Sequence, residues 1–311
     1  LGDVYKRQEP QQQNRILELA DENDLLWFHT IVPANCANIL DAIPAVLDID
    51  DLLSTYYSSI SKHGSFFRKL LNKRMSILWR RQELDYQKRF PSLAVCSEED
   101  KKILGNRENV TVVPNGFDPS PPHKQIADRG PDPTIGYIGN LKYAPNSEGL
   151  QWFINNDSPI VRYEVPNCEL RISRSNSHQF LSEQHPEIIP TGWIKNLEDE
   201  MRRWWLTIVP IHTGSGTRIK IVTAYSMRCP LVSTTLGAYG YNAKNGIEIM
   251  LANDSCSFAR SCISLISDNR LSQSIVDDAL SAFEKSWSWD SIKPNISCLL
   301  YTSDAADDVR G

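Results

Sequence analysis

The stretch from Leu206 to Gly240 restricts this chain to few folds. It opens with an apolar run, Leu206–Ile211, that has the length and β-branched content of a buried strand. A loop of small residues follows, His212-Thr213-Gly214-Ser215-Gly216-Thr217. From Thr217 to Met227 the apolar residues Ile219, Val222, Ala224 and Tyr225 recur at helical spacing. Pro230 stops that helix, and Leu231-Val232-Ser233-Thr234 reads as the next buried strand. A strand, a glycine loop, a helix and a strand make a βαβ unit of a parallel sheet, which puts the chain in the α/β class.

The loop also speaks to ligand charge. Glycines let backbone pass close to a ligand, and the N–H groups at a helix start attract anions. Arg218 and Lys220 add positive charge to the first turn, where the helix dipole disfavours it. Two readings stay open at this point: a polyanion seated on the loop, or an ordinary glycine-containing turn with two solvated bases.

The rest of the chain alternates strand and helix. A helix is expected over Gln11–Glu22, a strand over Leu25–His29, a helix over Ala34–Asp41 and a strand over Pro44–Asp48, which runs into three acids at Asp48, Asp50 and Asp51. Acids at the carboxyl end of a strand suit a metal or a ligand, and equally suit a helix cap. The segment from Lys62 to Arg89 carries nine Lys or Arg against Glu83 and Asp85, interleaved with Phe66, Phe67, Leu70, Leu71, Met75, Leu78 and Trp79. It reads as a basic amphipathic helix, either packed by its apolar stripe on the domain or set on an anionic membrane as a peripheral contact. Strands follow at Leu93–Cys96 and Val110–Val113, with Ser97 capping a helix over Glu98–Leu104. The proline-rich stretch 120–133 reads as a linker.

Beyond it, strands are expected at Thr134–Ile138, Glu169–Ser173 and Gly246–Leu251, and helices at Glu148–Asn155 with Asn146 as cap, at His178–Gln184, and from Asn196 or Leu197 to Trp204. The Trp204-Trp205 pair reads as core, and two last helices fall near Cys256–Ser267 and Asn269–Ser286. Net charge is −5, so no global field favours nucleic acid or membrane. The seven cysteines have no C-x-x-C spacing and no histidine cluster, which argues against zinc and fits a reducing cytoplasm. No metal and no resident cofactor are expected.

Six stretches in order carry a resemblance: VCSEED at 95–100, VVPNGFD at 112–118, IGYIGNLKYAPNSEGLQWF at 135–153, PTGWIKNLEDE at 190–200, GSGTRIK with CPLVSTTLGAYGY, and SWSWDSI at 286–292. Together they make the chain similar to GT-B-fold glycosyltransferases with a group 1, family 4-like, C-terminal domain. The resemblance implies two Rossmann-like doubly wound domains, with 9–119 as the C-terminal part of an acceptor domain and 134–286 as the donor domain. It also implies a terminal crossover helix at 287–297. The ends, LGDVYKRQ at 1–8 and CLLYTSDAADDVRG at 298–311, can be written as DNA so that one largely reverse-complements the other, and are expected to be translated sequencing adapter. The first part of the N-terminal domain is expected to precede this sequence.

The implied reaction is transfer of a sugar from a nucleotide-diphosphate sugar, with retention at the anomeric carbon, to a glycan or lipid-linked acceptor of a surface polysaccharide. It is expected in the cytoplasm. Arg218 and Lys220 are implied to neutralise the leaving diphosphate, aided by N–H groups at Ser215, Gly216 and Thr217. Gly139, Asn140, Gly192, Trp193, Ile194, Gly214 and Thr223 are implied to hold the donor. Two positions depart from the pattern: Thr223 stands where relatives carry a glutamate for the ribose hydroxyls, and Arg228 where they carry glycine after the helix. Thr223 keeps a non-catalytic sugar-nucleotide-binding relative as the alternative. A nucleotide-sugar epimerase is disfavoured because the acidic and histidine residues of those enzymes are absent after the loop.

Overall fold

A computed structural model describes residues 10–31, 33–34, 45–120, 129–173 and 185–308. The helices expected over His178–Gln184 and, but for its first residue, Ala34–Asp41 lie outside them, as does most of the stretch 120–133. The chain forms two compact units. One holds Leu1–Asn115, Gly214–Thr217 and Ile292–Gly311; the other holds Gly116–Thr213 and Arg218–Ser291. The division falls at Asn115, a few residues before the boundary expected near 120.

In the first unit the order is α1 (Pro10–Asp21), β1 (Leu26–His29), β2 (Ala45–Ile49), α2 (Leu53–Ile60), α3 (Phe66–Arg89), β3 (Ser92–Val95), α4 (Glu98–Ile103) and β4 (Val110–Val112). The strands lie in the order β1-β2-β3-β4, all parallel, with Leu47 opposite Leu93. Leu47, Ile49, Leu93 and Val95 build the core with Trp79, Tyr86 and Phe90 from α3 and its end. Ser97 caps α4, its hydroxyl accepting from the Asp100 amide at 3.1 Å. The buried Glu83 carboxylate of α3 takes the Ser54 amide at 2.9 Å and the Ser54 hydroxyl at 2.5 Å, which pins α3 to α2. Burial pushes the Glu83 carboxyl above its ordinary range, against the pull of those two bonds.

The second unit runs β5 (Thr134–Ile138), α5 (Ala144–Asn156), α6 (Ser158–Glu164), β6 (Glu169–Ser173), β7 (Ile188–Gly192), α7 (Leu197–Met201), β8 (Leu206–Val209), α8 (Ile219–Ser226), β9 (Leu231–Ser233), β10 (Met250–Leu251), α9 (Ser255–Ser267) and α10 (Asn269–Ser286). The final helix, α11, spans Trp289–Asp308 with Pro294 inside it; from Ile292 on it is part of the first unit, where Leu299 packs with Val46 and Ala94. The six-stranded sheet is parallel throughout, in the order β10-β9-β8-β5-β6-β7. Its α/β layering, with helices following strands, is a doubly wound sheet.

Local chemistry explains the packing. Gly136 is glycine because the Trp204 ring lies where a side chain would stand. Trp204 is fully buried, in the core as expected, and its indole N–H donates to Glu200 at 3.2 Å. Arg171 reaches the same carboxylate from β6 with Nε at 2.5 Å and Nη2 at 3.2 Å. Burial would raise the Glu200 pKa, but these charge-assisted bonds outweigh it and hold the carboxyl below its ordinary value.

Three local expectations are corrected. The strand expected over Gly246–Leu251 shrinks to Met250–Leu251, because Gly246 sits at φ 74° and its amide turns back to the Ile249 carbonyl. The glycine-loop helix starts at Ile219 rather than Thr217, since Arg218 is extended at φ −100°, ψ 102° and occupies the cap position. Asn146 is not the cap of its helix: α5 begins at Ala144 after Tyr143, so Asn146 lies inside the first turn. Past α8, Arg228 takes φ 50°, a left-handed conformation in which glycine would be usual. Its amide reaches the Tyr225 carbonyl at 3.2 Å and the Cys229 amide the Ala224 carbonyl at 2.9 Å, which closes the helix as a Schellman motif.

Candidate functional site

In the six-stranded sheet the chain leaves β5 towards β6 on one side, and β8 pairs on the other. The strand order reverses there, so the loops after β5 and β8 diverge and leave a crevice at their carboxyl ends. Gly139 and Asn140 follow β5, and Arg218 and Lys220 follow β8. The switch point thus brings together residues about eighty positions apart in sequence.

Lys220, in the first turn of α8, reaches back towards β5. Its ammonium donates to the Asn146 side-chain oxygen at 2.7 Å and to the Tyr137 hydroxyl at 3.1 Å, and stands 4.5 Å from the centre of the Tyr137 ring. Tyr137, fully buried, donates its own hydroxyl proton to the Asn146 carbonyl at 3.0 Å. The Asn146 amide donates in turn to the Asn140 carbonyl at 2.9 Å, which ties the loop after β5 to the lysine's acceptor. Gly139 completes the enclosure. A Cβ there would stand 3.1 Å from the Lys220 ammonium and 2.9 Å from the Tyr137 hydroxyl, so any side chain would push into the cation's place.

Both acceptors of the ammonium are neutral oxygens. Burial, and after it the nearby Arg218 cation, pull the Lys220 pKa down to about 7. Arg218 is itself buried, and its carbonyl accepts from the Tyr241 hydroxyl at 2.9 Å. Tyr241 rests on Trp287 with ring centres 4.5 Å apart, so the helix start is held on an aromatic base. Two cations set side by side at a strand's carboxyl end are stabilised by an anion, and a diphosphate has the charge and the oxygens to satisfy both.

The other sequence-assigned residues fall as follows. Thr223 is buried on α8, its hydroxyl donating to the Ile219 carbonyl at 2.8 Å, which leaves the oxygen lone pairs as acceptors. Gly192 ends β7 at φ 68°, followed by an exposed Trp193 and a half-buried Ile194; this group sits on the same rim of the sheet, beyond β6. Gly214 and Gly216 adopt φ 108° and 78°, as a tight glycine loop requires. Gly214–Thr217 groups with the first unit. There the Gly214 amide donates to the Ser59 hydroxyl at 2.9 Å, and the Asn115 amide to the Thr217 hydroxyl at 3.1 Å. Because α8 begins at Ile219, the amides of Ser215, Gly216 and Thr217 precede the helix and are not its first-turn donors, contrary to expectation.

The acids after β2 are engaged within the first unit. Asp48 meets the His29 imidazole at 3.2 Å, Asp50 accepts from Cys96 at 3.4 Å and Asn115 at 3.2 Å, and Asp51 fills the space where a Gly216 side chain would stand. Among the described residues no cluster of three or more His, Cys, Asp or Glu is placed to hold a metal. Sequence reasoning missed Tyr137 and the role of Asn146. The one available signal was a lone tyrosine in an otherwise apolar strand, Thr134-Ile135-Gly136-Tyr137-Ile138.

Residues 132–268 match the family described as glycosyl transferases group 1. This chain carries a group 1 glycosyltransferase domain. The domain takes in β5 to α9 and every residue of the Lys220 arrangement. The fold is GT-B. The structure is similar to Anabaena HepE (Alr3699) in complex with UDP and glucose, at TM-score 0.64 and 17% identity over 93% of this chain and 80% of that one. It is also similar to the sucrose-phosphate synthase of Thermosynechococcus elongatus, at TM-score 0.73 and 11% identity over 96% and 78%. Among curated proteins it is 24% identical over 241 residues to an uncharacterized 44.6 kDa protein in the cps region of Klebsiella pneumoniae. That match covers 72% of this chain, and the chain spans 60% of that protein's length.

Proposed function

We propose that the group 1 domain binds a nucleotide-diphosphate sugar through Lys220 and Arg218 and transfers the sugar, with retention, to a glycan or lipid-linked acceptor in making a surface polysaccharide. The observation that carries this reading is the Lys220 ammonium, enclosed by neutral oxygens beside a second buried cation at the sheet's switch point. In the reaction the bond from the anomeric carbon to the diphosphate breaks, a bond to the acceptor oxygen forms, and the acceptor's proton is released. Negative charge grows on the leaving diphosphate, and cations already in place stabilise it without reorganisation. A charge that grows only as the bond breaks makes their interaction stronger in the transition state than before it. No resident cofactor enters this scheme. The relative in a cps region and the UDP and glucose held by HepE support the donor and product classes. The free cysteines at 96, 168, 229, 256, 262 and 298 agree with a cytoplasmic setting.

Thermal unfolding of the full chain with UDP, GDP, ADP and TDP tests donor binding. A matching nucleotide at a hundred times its dissociation constant adds about 2.7 kcal/mol of stability, a rise of a few degrees in Tm. Stabilisation by one nucleotide, with transfer of its sugar to an acceptor extract, is the expected result. No shift with any of the four in a folded sample overturns the donor assignment.

One observation favours a second reading, a binding protein without turnover: the Thr223 hydroxyl proton is held by its own helix, where a carboxylate would meet the ribose. Nucleotide binding without transfer, with transfer appearing in Thr223→Glu, would select it.

A further inference from the structure

The first turns of α3 carry a surface that the sugar-transfer reading does not use. Phe66 and Phe67 are 76% and 82% exposed, and Leu70 and Leu71 are 59% and 58% exposed, with Ile77 also in solvent. At about 100° per residue these five fall on one arc of the helix, roughly opposite the face that carries Trp79, Glu83 and Tyr86. That inner face is fully engaged: Trp79 and Tyr86 are core, Glu83 bonds Ser54, and the Ser76 hydroxyl donates to the Ser54 carbonyl at 2.8 Å. The apolar arc is therefore a second, outward stripe and not a displaced core stripe. A contiguous outward patch of large apolar side chains marks an interaction surface.

Charge identifies its partner. From Lys62 to Gln82 the sequence holds seven Lys or Arg and no Asp or Glu, in a chain whose net charge is −5. Lys62, Arg68, Lys69, Lys73, Arg74 and Arg81 are all exposed. By the same helical count Lys69 and Lys73 flank one edge of the arc, while Arg74 and Arg81 stand within it. Their long stems can lie along an apolar layer and carry the charge back to a polar boundary. None of the described helices is long and apolar enough to cross a membrane, so such a helix would lie on a surface and not span it.

We propose that the N-terminal half of α3 docks on an anionic lipid surface, with Phe66, Phe67, Leu70 and Leu71 entering the acyl boundary and the flanking bases meeting the headgroups. The proposal is independent of the donor-site reading, since no residue of α3 takes part in the Lys220 arrangement. Insertion removes apolar area from water, and the bases add an attraction that salt screens. Both contributions are needed, and each has its own signature.

The test is co-sedimentation of the full chain with vesicles of phosphatidylglycerol and phosphatidylcholine, against vesicles of phosphatidylcholine alone. Binding is expected to the anionic vesicles, with loss as ionic strength rises. Phe67→Ser with Leu71→Ser should weaken it about tenfold or more, the effect expected of withdrawing two large apolar side chains. Lys69→Glu with Lys73→Glu should do the same. All four positions are exposed, so the Tm and the nucleotide response of each variant should match those of the parent chain. Equal binding to both vesicle types, or no binding to either, overturns the proposal. So does loss on charge reversal alone with the serine pair unaffected, which would mean electrostatic adsorption without insertion. A concentration-dependent dimer that the serine pair makes monomeric would assign the face to a second copy of this chain instead.

Discussion

Two helices of this protein carry basic residues to opposite effect. In α8 and its cap, Lys220 and Arg218 are drawn into the sheet's switch point beside each other, the lysine against neutral oxygens. In α3 a longer run of bases stands in water around an apolar patch. The number of cations is larger in α3, yet the pair at α8 is the more demanding. Withdrawing an ammonium from water raises the free energy of its charged form, and on the proposed reading a compact anion restores the lost solvation. The bases of α3 keep their hydration and suit a broad, diffuse charge. What a basic segment binds is decided by how its charges are buried and by what surrounds them.

The comparison is broken most directly at Lys220. Lys220→Ala should lower nucleotide-sugar affinity by about 1.5–3 kcal/mol, the range for a hydrogen bond to a charged group, whereas Lys73→Ala should leave it unchanged. Isothermal titration of both variants measures this, and equal losses would erase the distinction.

The next effect is a pH dependence belonging to α8 alone. The free Lys220 ammonium titrates at about 7, and a bound diphosphate raises its pKa. Complex and free protein are both protonated below that value, so affinity is level there. Above it the free protein has lost a proton that the complex keeps, and affinity should fall by up to about tenfold per pH unit until the complex itself titrates. A nucleotide sugar is the right ligand for this titration, because its doubly esterified diphosphate does not change charge near neutrality. Affinity that climbs from pH 7 to 9 would show that the lysine does not face the diphosphate.

The smallest effect concerns a third base with neither role. Arg228 holds a left-handed conformation in which glycine is at ease. Arg228→Gly should raise stability by about 0.5–1 kcal/mol, relief of the side-chain clash offset in part by the freer unfolded glycine. Urea unfolding reads the change, with nucleotide affinity unaltered. A loss of stability would mean that the arginine side chain matters more than its backbone.

Much of the architecture was legible because it is periodic. Thr134–Ile138, Glu169–Ser173 and Asn269–Ser286 stand where apolar spacing put them. The failures came where a short polar or glycine turn overrode an apolar run, as at Gly246 within Gly246–Leu251. In the site, Arg218 and Lys220 were legible as cations misplaced against the helix dipole, because that conflict is local. Tyr137 and the acceptor role of Asn146 were not, because both depend on a lysine about eighty residues away folding back across β8 and β5. Asn146 looked like a cap for a sound reason, since asparagine favours that position. The contact with Lys220 took it instead, inside the first turn of the helix.

The strand order has a consequence for how the protein is made. On one side β5 pairs with β6, which follows it soon, but on the other its partner is β8, aligned from Ile135 to Leu206. During synthesis from the N-terminus, one edge of β5 stays unpaired while β6 and β7 emerge, a bare strand edge that invites wrong partners. Tyr137 and Asn146 are in place early, and the lysine that joins them leaves the ribosome only after β8. Nascent chains arrested before Leu206 should therefore be cut readily by protease, and chains arrested well past Ser233 should resist. The contacts of Lys220 with Tyr137 and Asn146 form only once β8 has taken the open edge of β5, so a chain interrupted before then has neither the contacts nor the covered edge.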